Sequence, residues 1–282
     1  MKQTILITGT SSGFGKLTAV TLANAGHNVI ASMRNISTKN KDVAGELSAT
    51  ANIEVVEMDI TNDESVNDSI NQILLKYDRI DVLVNNAGIS ASGVLEAYSI
   101  GQIKSLFETN VFGVFRTYKA VLPSMRKNKS GLIINVSSGL GMFSLPGIAP
   151  YSASKFAVEA FTEGIQGELK PFGIENVSIQ AGAYPTDIMS KAGVFAEDLE
   201  ITQAYNDQFD PQSEKSLAVM MAKMKEFNMN PQIIADGILH LVQMEKGTRP
   251  QQFPLDAVAQ GVDQEFINTR NELKIKWLAN HR

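Results

Sequence analysis

The chain contains no cysteine in its 282 residues, so neither a disulfide framework nor thiolate chemistry is open to it. Histidine is scarce: His27, His240 and His281 are too far apart to form a spaced metal motif, and a metalloenzyme is not expected. No uncharged apolar run approaches the length that crosses a bilayer, and no apolar leader with a small-residue cleavage site follows Met1 and Lys2. The cytoplasm is therefore the default compartment. Basic residues are outnumbered by acidic ones, 25 to 30, and the net charge of −5 argues against nucleic acid or an anionic membrane as partner. Repeats, low-complexity tracts and proline-rich linkers are also lacking.

What the chain does have is alternation. Short apolar runs rich in Val, Ile and Leu recur near 2–8, 27–33, 53–58, 80–84, 131–136, 176–181 and 251–255, with helical patterns between them. Buried parallel strands read as continuous apolar runs, and strands that alternate with helices form βαβ units. The pattern predicts an α/β, doubly wound Rossmann fold: a parallel sheet of about seven strands with helices on both faces. Residues 1–282 are read as one such domain. Strand alternation stops at 187–230, which is taken as an insertion over the substrate, and 256–282 as a helical extension.

The first strand runs directly into Gly9-Thr10-Ser11-Ser12-Gly13-Phe14-Gly15 and a helix. A glycine turn leading into a helix N-terminus presents free N–H groups and the positive end of a dipole, as a pyrophosphate requires. An ordinary strand-to-helix turn is the competing reading. The glycine spacing, G-x-x-x-G-x-G, differs from the commonest dinucleotide fingerprint.

Further along, Ser137 and Ser138 end an apolar strand, and Tyr151 and Lys155 follow four residues apart. Residues i and i+4 share a helix face, so the lysine ammonium is expected beneath the phenol, lowering its pKa and suiting it to acid–base work. Asn110 interrupts the helical pattern from Phe107 to Phe115, where a mid-helix amide can divert the backbone.

With these motifs assembled, the chain resembles the short-chain dehydrogenase/reductase family over nearly all of residues 2–255. The resemblance implies a catalytic tetrad of Asn110, Ser138, Tyr151 and Lys155. Tyr151 is then the acid or base, Ser138 holds the substrate oxygen, Lys155 also holds the nicotinamide ribose, and Asn110 anchors a water leading to solvent. It further implies that Asp59 contacts adenine and that Asn86, Ala87 and Gly88, after Asn85, line the adenosine side. Asp59 also reads as a helix N-cap. Thr186 would hold the nicotinamide carboxamide. One departure from the family pattern occurs there: Ala181 stands where the family has proline, which bears on the stiffness of the loop.

The second strand ends in Ala31-Ser32-Met33-Arg34-Asn35, without the acid that holds the ribose hydroxyls in NAD sites. Arg34 is placed for a 2′-phosphate, and Met33 removes a carboxylate that would repel it, so NADP is expected over NAD. For the substrate, Leu140, Met142, Phe143, Leu145 and Ile148, with Met220, Met221, Met224 and Phe227, suggest an apolar, adaptable pocket for a carbonyl or alcohol. Such a methionine stripe is more often a helix packed on its own core than a ligand surface. The family resemblance implies a homodimer or homotetramer through the helices that carry Asn110 and Tyr151. Two other classes stay open: a catalytically silent dinucleotide sensor acting through a protein partner, and a methyltransferase, which would explain the glycine loop but not Tyr151 with Lys155.

Overall fold

The computed structural model describes residues 2–189, 193–206 and 214–281. Its strands are β1 (Thr4–Thr8), β2 (Asn28–Met33), β3 (Ile53–Glu57), β4 (Val82–Asn85), β5 (Ser90–Ser92), β6 (Gly131–Val136), β7 (Ile174–Ala181), β8 (Gly193–Phe195) and β9 (Gln252–Leu255). Seven of them pair in parallel in the order β3-β2-β1-β4-β6-β7-β9, and each expected apolar run supplies one strand. The fold is the doubly wound Rossmann type. The chain winds outward from β1 to β3, then returns to place β4 beside β1, which creates the topological switch point where such sheets bind ligands.

Period-two alternation decides which side chains meet which helices. Ile5 and Ile7 of β1, Val29 and Ala31 of β2, and Val82 and Val84 of β4 face one apolar core. That core is closed by α1 (Gly13–Asn24), α2 (Lys41–Ser48) and α10 (Gln232–Gln243). Their neighbours Leu6, Ile30, Leu83 and Ile133 face the other, under α3 (Asp63–Tyr77), α5 (Gly113–Asn128) and α6 (Ala149–Gly164). The remaining helices are α4 (Ile100–Phe107), α7 (Gln166–Leu169), α8 (Leu199–Asn206), α9 (Glu214–Glu226) and α11 (Val262–Asn280). Among the described residues no helix is long and apolar enough to cross a membrane.

One expectation meets a different outcome here, and one open choice is decided. The segment 187–230 is not strand-free: β8 pairs in parallel with β5, a three-residue ladder too short to show periodicity in sequence. Residues 190–192 and 207–213 of that segment lie outside the described residues. Met224 is buried, and Met220 and Phe227 pack against the α1–α10 core, while Met221 points to solvent. The stripe is therefore mainly a helix packing on its own core, as its i, i+4, i+7 spacing allows.

Beneath the second layer of helices runs a polar seam. Asn135 of β6 is fully buried; its Oδ1 accepts from Asn85 Nδ2 (2.9 Å). Its Nδ2 lies within reach of Tyr118 OH (2.7 Å), Thr162 Oγ1 (3.0 Å) and Asn176 Oδ1 (3.0 Å). Asn135→Ala would leave the Asn85 side-chain amide nitrogen without its partner and remove one contact each from Tyr118, Thr162 and Asn176. It should lower unfolding free energy by about 2 to 4 kcal/mol. Urea denaturation measures this, with an unchanged m value.

Candidate active site

The glycine loop is fixed by its contact with the turn after β4. The Thr8 hydroxyl accepts the amides of Asn86 and Ala87, both at 3.0 Å. In return, Asn86 Nδ2 donates to the carbonyls of Thr8 (2.9 Å) and Gly9 (3.0 Å). Side chains have no room at this seam. A Cβ on Gly9, whose φ is +71°, would stand 2.7 Å from the Cα of Ala87. A Cβ on Gly15 would stand 2.3 Å from the Gly9 carbonyl oxygen and 2.4 Å from Asn86 Nδ2.

The loop feeds α1, whose N-cap residue Ser12 makes no side-chain capping bond. The first-turn amides of the helix are thus not capped by Ser12, as a phosphate cradle requires. The residues therefore fit a dinucleotide. Not every residue of the loop aims outward. Thr10 is fully buried, with its hydroxyl donating to the Ser32 carbonyl (3.1 Å). Phe14 packs edge-on against Tyr184, at 5.5 Å between ring centroids. Gly13 faces Thr186, whose Cβ is 3.5 Å from where a Cβ on Gly13 would lie.

At the far end of the crevice, Arg34 is exposed and pairs with Asp59 at 3.7 Å. Burial would raise the Asp59 carboxyl, but the amide and hydroxyl of Thr61 and the guanidinium of Arg34 outweigh it and hold it below the usual value. Asp59 is not the α3 cap. That role falls to Asn62, which accepts from the amide of Ser65 at 2.8 Å. Met33 also departs from expectation: it is buried in the α1–α10 core, in step with Val29 and Ala31.

The tetrad residues come from three places. Asn110 lies in a π turn, Glu108–Phe112, that joins α4 to α5, so the ladder does open where the sequence suggested. Its Oδ1 accepts the Ile89 amide (2.8 Å) and its Nδ2 donates to the Ile89 carbonyl (2.9 Å) and to Ser154 Oγ (3.0 Å). A Cβ on Gly88 would lie 3.3 Å from Asn110 Oδ1 and 3.8 Å from Lys155 Nζ, so these three residues adjoin.

Ser137 and Ser138 follow β6. Ser138 Oγ accepts the amide of Leu140 (3.1 Å) and hydrogen-bonds the Tyr151 phenol. Ser137 instead binds β7 through its amide, to the Ile179 carbonyl at 2.8 Å.

Lys155 Nζ is buried, donates to the Val136 carbonyl (3.0 Å) and sits 5.7 Å from the centroid of the Tyr151 ring. The electrostatics reverse the expectation from sequence. Burial pushes the Tyr151 phenol up to about 12, against the opposing pull of the Ser138 hydrogen bond. Burial likewise lowers Lys155 to about 8, opposed by Glu159. Desolvation sets the direction of both shifts. In the free protein the Tyr151 phenol is thus neutral at physiological pH.

After β7 the chain stays in register: Ala181 pairs with Leu255, Gly182 N donates to the Leu255 carbonyl (3.0 Å) and so does Tyr184 OH (2.9 Å). These bonds hold the loop at the position where the family has proline. Sequence reading missed Ser154, the partner of Asn110, and Glu159, one turn beyond Lys155. Its one available signal was the i, i+4, i+8 spacing of Tyr151, Lys155 and Glu159.

A glycine-loop crevice at the switch point, with a serine, tyrosine and lysine converging beside it, defines a nicotinamide dinucleotide oxidoreductase. Residues 3–195 match the short chain dehydrogenase family, and the chain belongs to it. Among its relatives, the uncharacterized oxidoreductase YusZ of Bacillus subtilis is 37% identical over 85% of this chain and 84% of that protein. The 3-ketodihydrosphingosine reductase of Bacteroides thetaiotaomicron is 42% identical over 65% of each. A solved structure of ElxO with NADP bound is 27% identical, covers 91% of this chain and 98% of its own, and has a TM-score of 0.72. The protein is an oxidoreductase that interconverts alcohol and carbonyl groups with a nicotinamide cofactor, and the methyltransferase alternative falls away.

Gly15→Ala should lower NADPH affinity at least tenfold by forcing the loop away from Asn86. Gly45→Ala, in an exposed turn of α2 with nothing within 4 Å, should instead raise stability by ~0.5 to 1 kcal/mol. Fluorescence titration and thermal melting separate the two effects.

Proposed function

We propose that the protein is an NADP(H)-dependent carbonyl reductase, also able to run as an alcohol dehydrogenase, with Tyr151 as its acid and base. The observation that carries this reading is the convergence of the Ser138 hydroxyl, the neutral Tyr151 phenol and the buried Lys155 at one end of the crevice. The cofactor, when bound, supplies or accepts the hydride. Ser138 holds the substrate oxygen, and Tyr151 delivers its phenolic proton as negative charge develops there. Lys155 holds the nicotinamide ribose, and Asn110, close to Lys155 through Gly88, continues the proton path toward solvent. In oxidation the same phenol, once ionised, removes the alcohol proton.

The glycine loop from Gly9 to Gly15 takes the pyrophosphate, Asp59 with Asn86, Ala87 and Gly88 the adenosine side, and Thr186 the carboxamide. Arg34 takes the 2′-phosphate. NADP found in ElxO supports this choice, as does the lack of an acid within residues 31–35 at the end of β2.

We read residues 187–230 as a cover over the substrate and 256–282 as an extension of one Rossmann-type domain spanning 1–282. Pairing of β5 with β8, and a bond from Tyr205 OH to Glu96 (2.7 Å), support a cover that closes from the β7 side. Phe143 and Leu145, both exposed in the loop after β6, favour an apolar carbonyl or alcohol. That the Bacteroides relative is a ketodihydrosphingosine reductase agrees with such a substrate. Exposed Phe112 in the π turn, Phe115 on α5 and Phe156 on α6 support a homodimer or homotetramer built on these helices.

Reduction of a panel of apolar ketones, followed by NADPH absorbance, tests the reaction. Tyr151→Phe should lower turnover by ~10² to 10⁴-fold with NADPH affinity nearly unchanged. Ser138→Ala should cost about 10²-fold, and Ser137→Ala much less. Unimpaired turnover in Tyr151→Phe would refute the mechanism.

Cofactor choice has its own test. NADPH should bind more tightly than NADH, and the gap should narrow with salt because it rests on an exposed charge. Arg34→Ala should weaken NADPH by about 1.5 kcal/mol, the low end for a charge-assisted contact since Arg34 is solvated and shares its charge with Asp59, and leave NADH alone. Equal affinities in wild type would refute the NADP assignment.

A further inference from the structure

Glu159 is buried on α6, one turn past Lys155 and two past Tyr151. Its carboxylate accepts from Ser178 Oγ (2.9 Å), from Gln180 Nε2 (2.8 and 3.0 Å to its two oxygens) and from Gln252 Nε2 (3.2 Å). The three donors come from two adjacent strands, β7 and β9. An environment of donors alone suits an ionised carboxylate, which only accepts. Yet among the described residues neither Glu159 nor Lys155 has an opposite charge within ion-pair distance. Buried charges are ordinarily paired. Here a buried anion and a buried cation stand one helical turn apart, about 6 Å along the axis.

We propose that Glu159 is a positioning residue of the reaction site: held by β7 and β9, its carboxylate is the buried counter-charge that keeps Lys155 an ammonium beneath Tyr151 before cofactor arrives. The inference rests on the role of Lys155 given above. Tyr151 and Glu159 are the titratable groups that face Lys155 from its own helix. From the end of β6 it meets the Val136 carbonyl and from the turn after β4 Gly88, with the Asn110 amide of the π turn also beside Gly88, all uncharged. Gly141 lets the turn after β6 lie against this stretch of α6. A Cβ there would stand 3.0 Å from Glu159 Cγ and 3.2 Å from the Lys155 carbonyl oxygen. Burial brings Lys155 down to about 8, so its charge at physiological pH depends on whatever opposes that shift, and Glu159 does so.

The direct test is the protonation of Lys155 in cofactor-free protein, read by NMR of ε-¹³C-labelled lysine, with its resonance assigned by its loss in Lys155→Met. In Glu159→Gln the midpoint should fall by about one pH unit, the scale expected for one charge removed at this distance. Ser178→Ala, which deletes a donor but leaves the charge, should keep the wild-type midpoint. NADPH affinity should follow: Glu159→Gln should bind several-fold more weakly near pH 7.5 and match wild type near pH 6, where Lys155 is charged in both. If Glu159→Gln does not fold, Glu159→Asp should shift the midpoint in the same direction by a smaller step. An unchanged midpoint in the variant that folds overturns the proposal, as does NADPH binding weakened equally at every pH. A midpoint that moves while NADPH affinity stays fixed would instead overturn the cofactor role of Lys155 and leave the counter-charge standing.

Discussion

The contact between two stretches of backbone, the glycine loop after β1 and the turn after β4, is the constraint on which the site depends. At the switch point the connections leaving neighbouring strands turn to opposite faces, so a crevice opens between them. Only glycine at 9 and 15 lets the two segments close its floor, because any Cβ would meet backbone or the Asn86 amide. Thr8 and Asn86 then bond each segment to the other. The same turn continues to Gly88 and Ile89, where Asn110 clasps it from the π turn. A small displacement at Gly15 would therefore travel through Asn86 and Gly88 to the neighbourhood of Lys155.

The layer below resists such displacement. Asn85, Asn135 and Asn176 lie on three adjacent strands and are joined to Thr117 and Tyr118 of α5 and Thr162 of α6. Burying this many polar groups is unfavourable unless each finds a partner, and a satisfied network fixes one arrangement where apolar packing tolerates several. The helices it fixes are α6, which carries Tyr151 and Lys155, and α5, which continues from the turn carrying Asn110. The geometry of the reacting groups is thus set from beneath by the sheet.

Much of this was legible in the sequence because its causes are local. Seven apolar runs became seven parallel strands, since a strand covered on both faces has no polar side to conceal. Asn110 announced an irregular helix because an amide competes with the helical ladder, and the π turn is the result. The misses have causes beyond local sequence. Whether Met33 faces ligand or core depends on strand register, and its step with Val29 and Ala31 turned it inward. The stripe of Met220, Met224 and Phe227 has the same spacing whether it meets substrate or α1 and α10. Glu159 reads as a solvated helix residue until β7 and β9 are brought against it, 19 and 93 positions away in sequence.

The most consequential miss was electrostatic. Sequence spacing suggested that Lys155 would lower the Tyr151 pKa, whereas burial moves both groups toward their neutral forms. A lysine at about 8 in the fold, against its ordinary value of 10.5, binds fewer protons folded than unfolded between those values. Stability therefore rises with pH across that window, and below it the full cost is carried, on the order of 3 kcal/mol. Tyr151 acts in the other direction at higher pH: folded, it keeps its proton between 10 and about 12, where the unfolded chain has lost it, so stability falls as pH rises through that interval. At neutral pH, of these two groups only the lysine carries a cost, and it falls on one buried ammonium beneath Tyr151. Ribose hydroxyls that accept from that ammonium would replace part of its lost hydration, so the same desolvation that weakens the free fold would favour a ligand that reaches it.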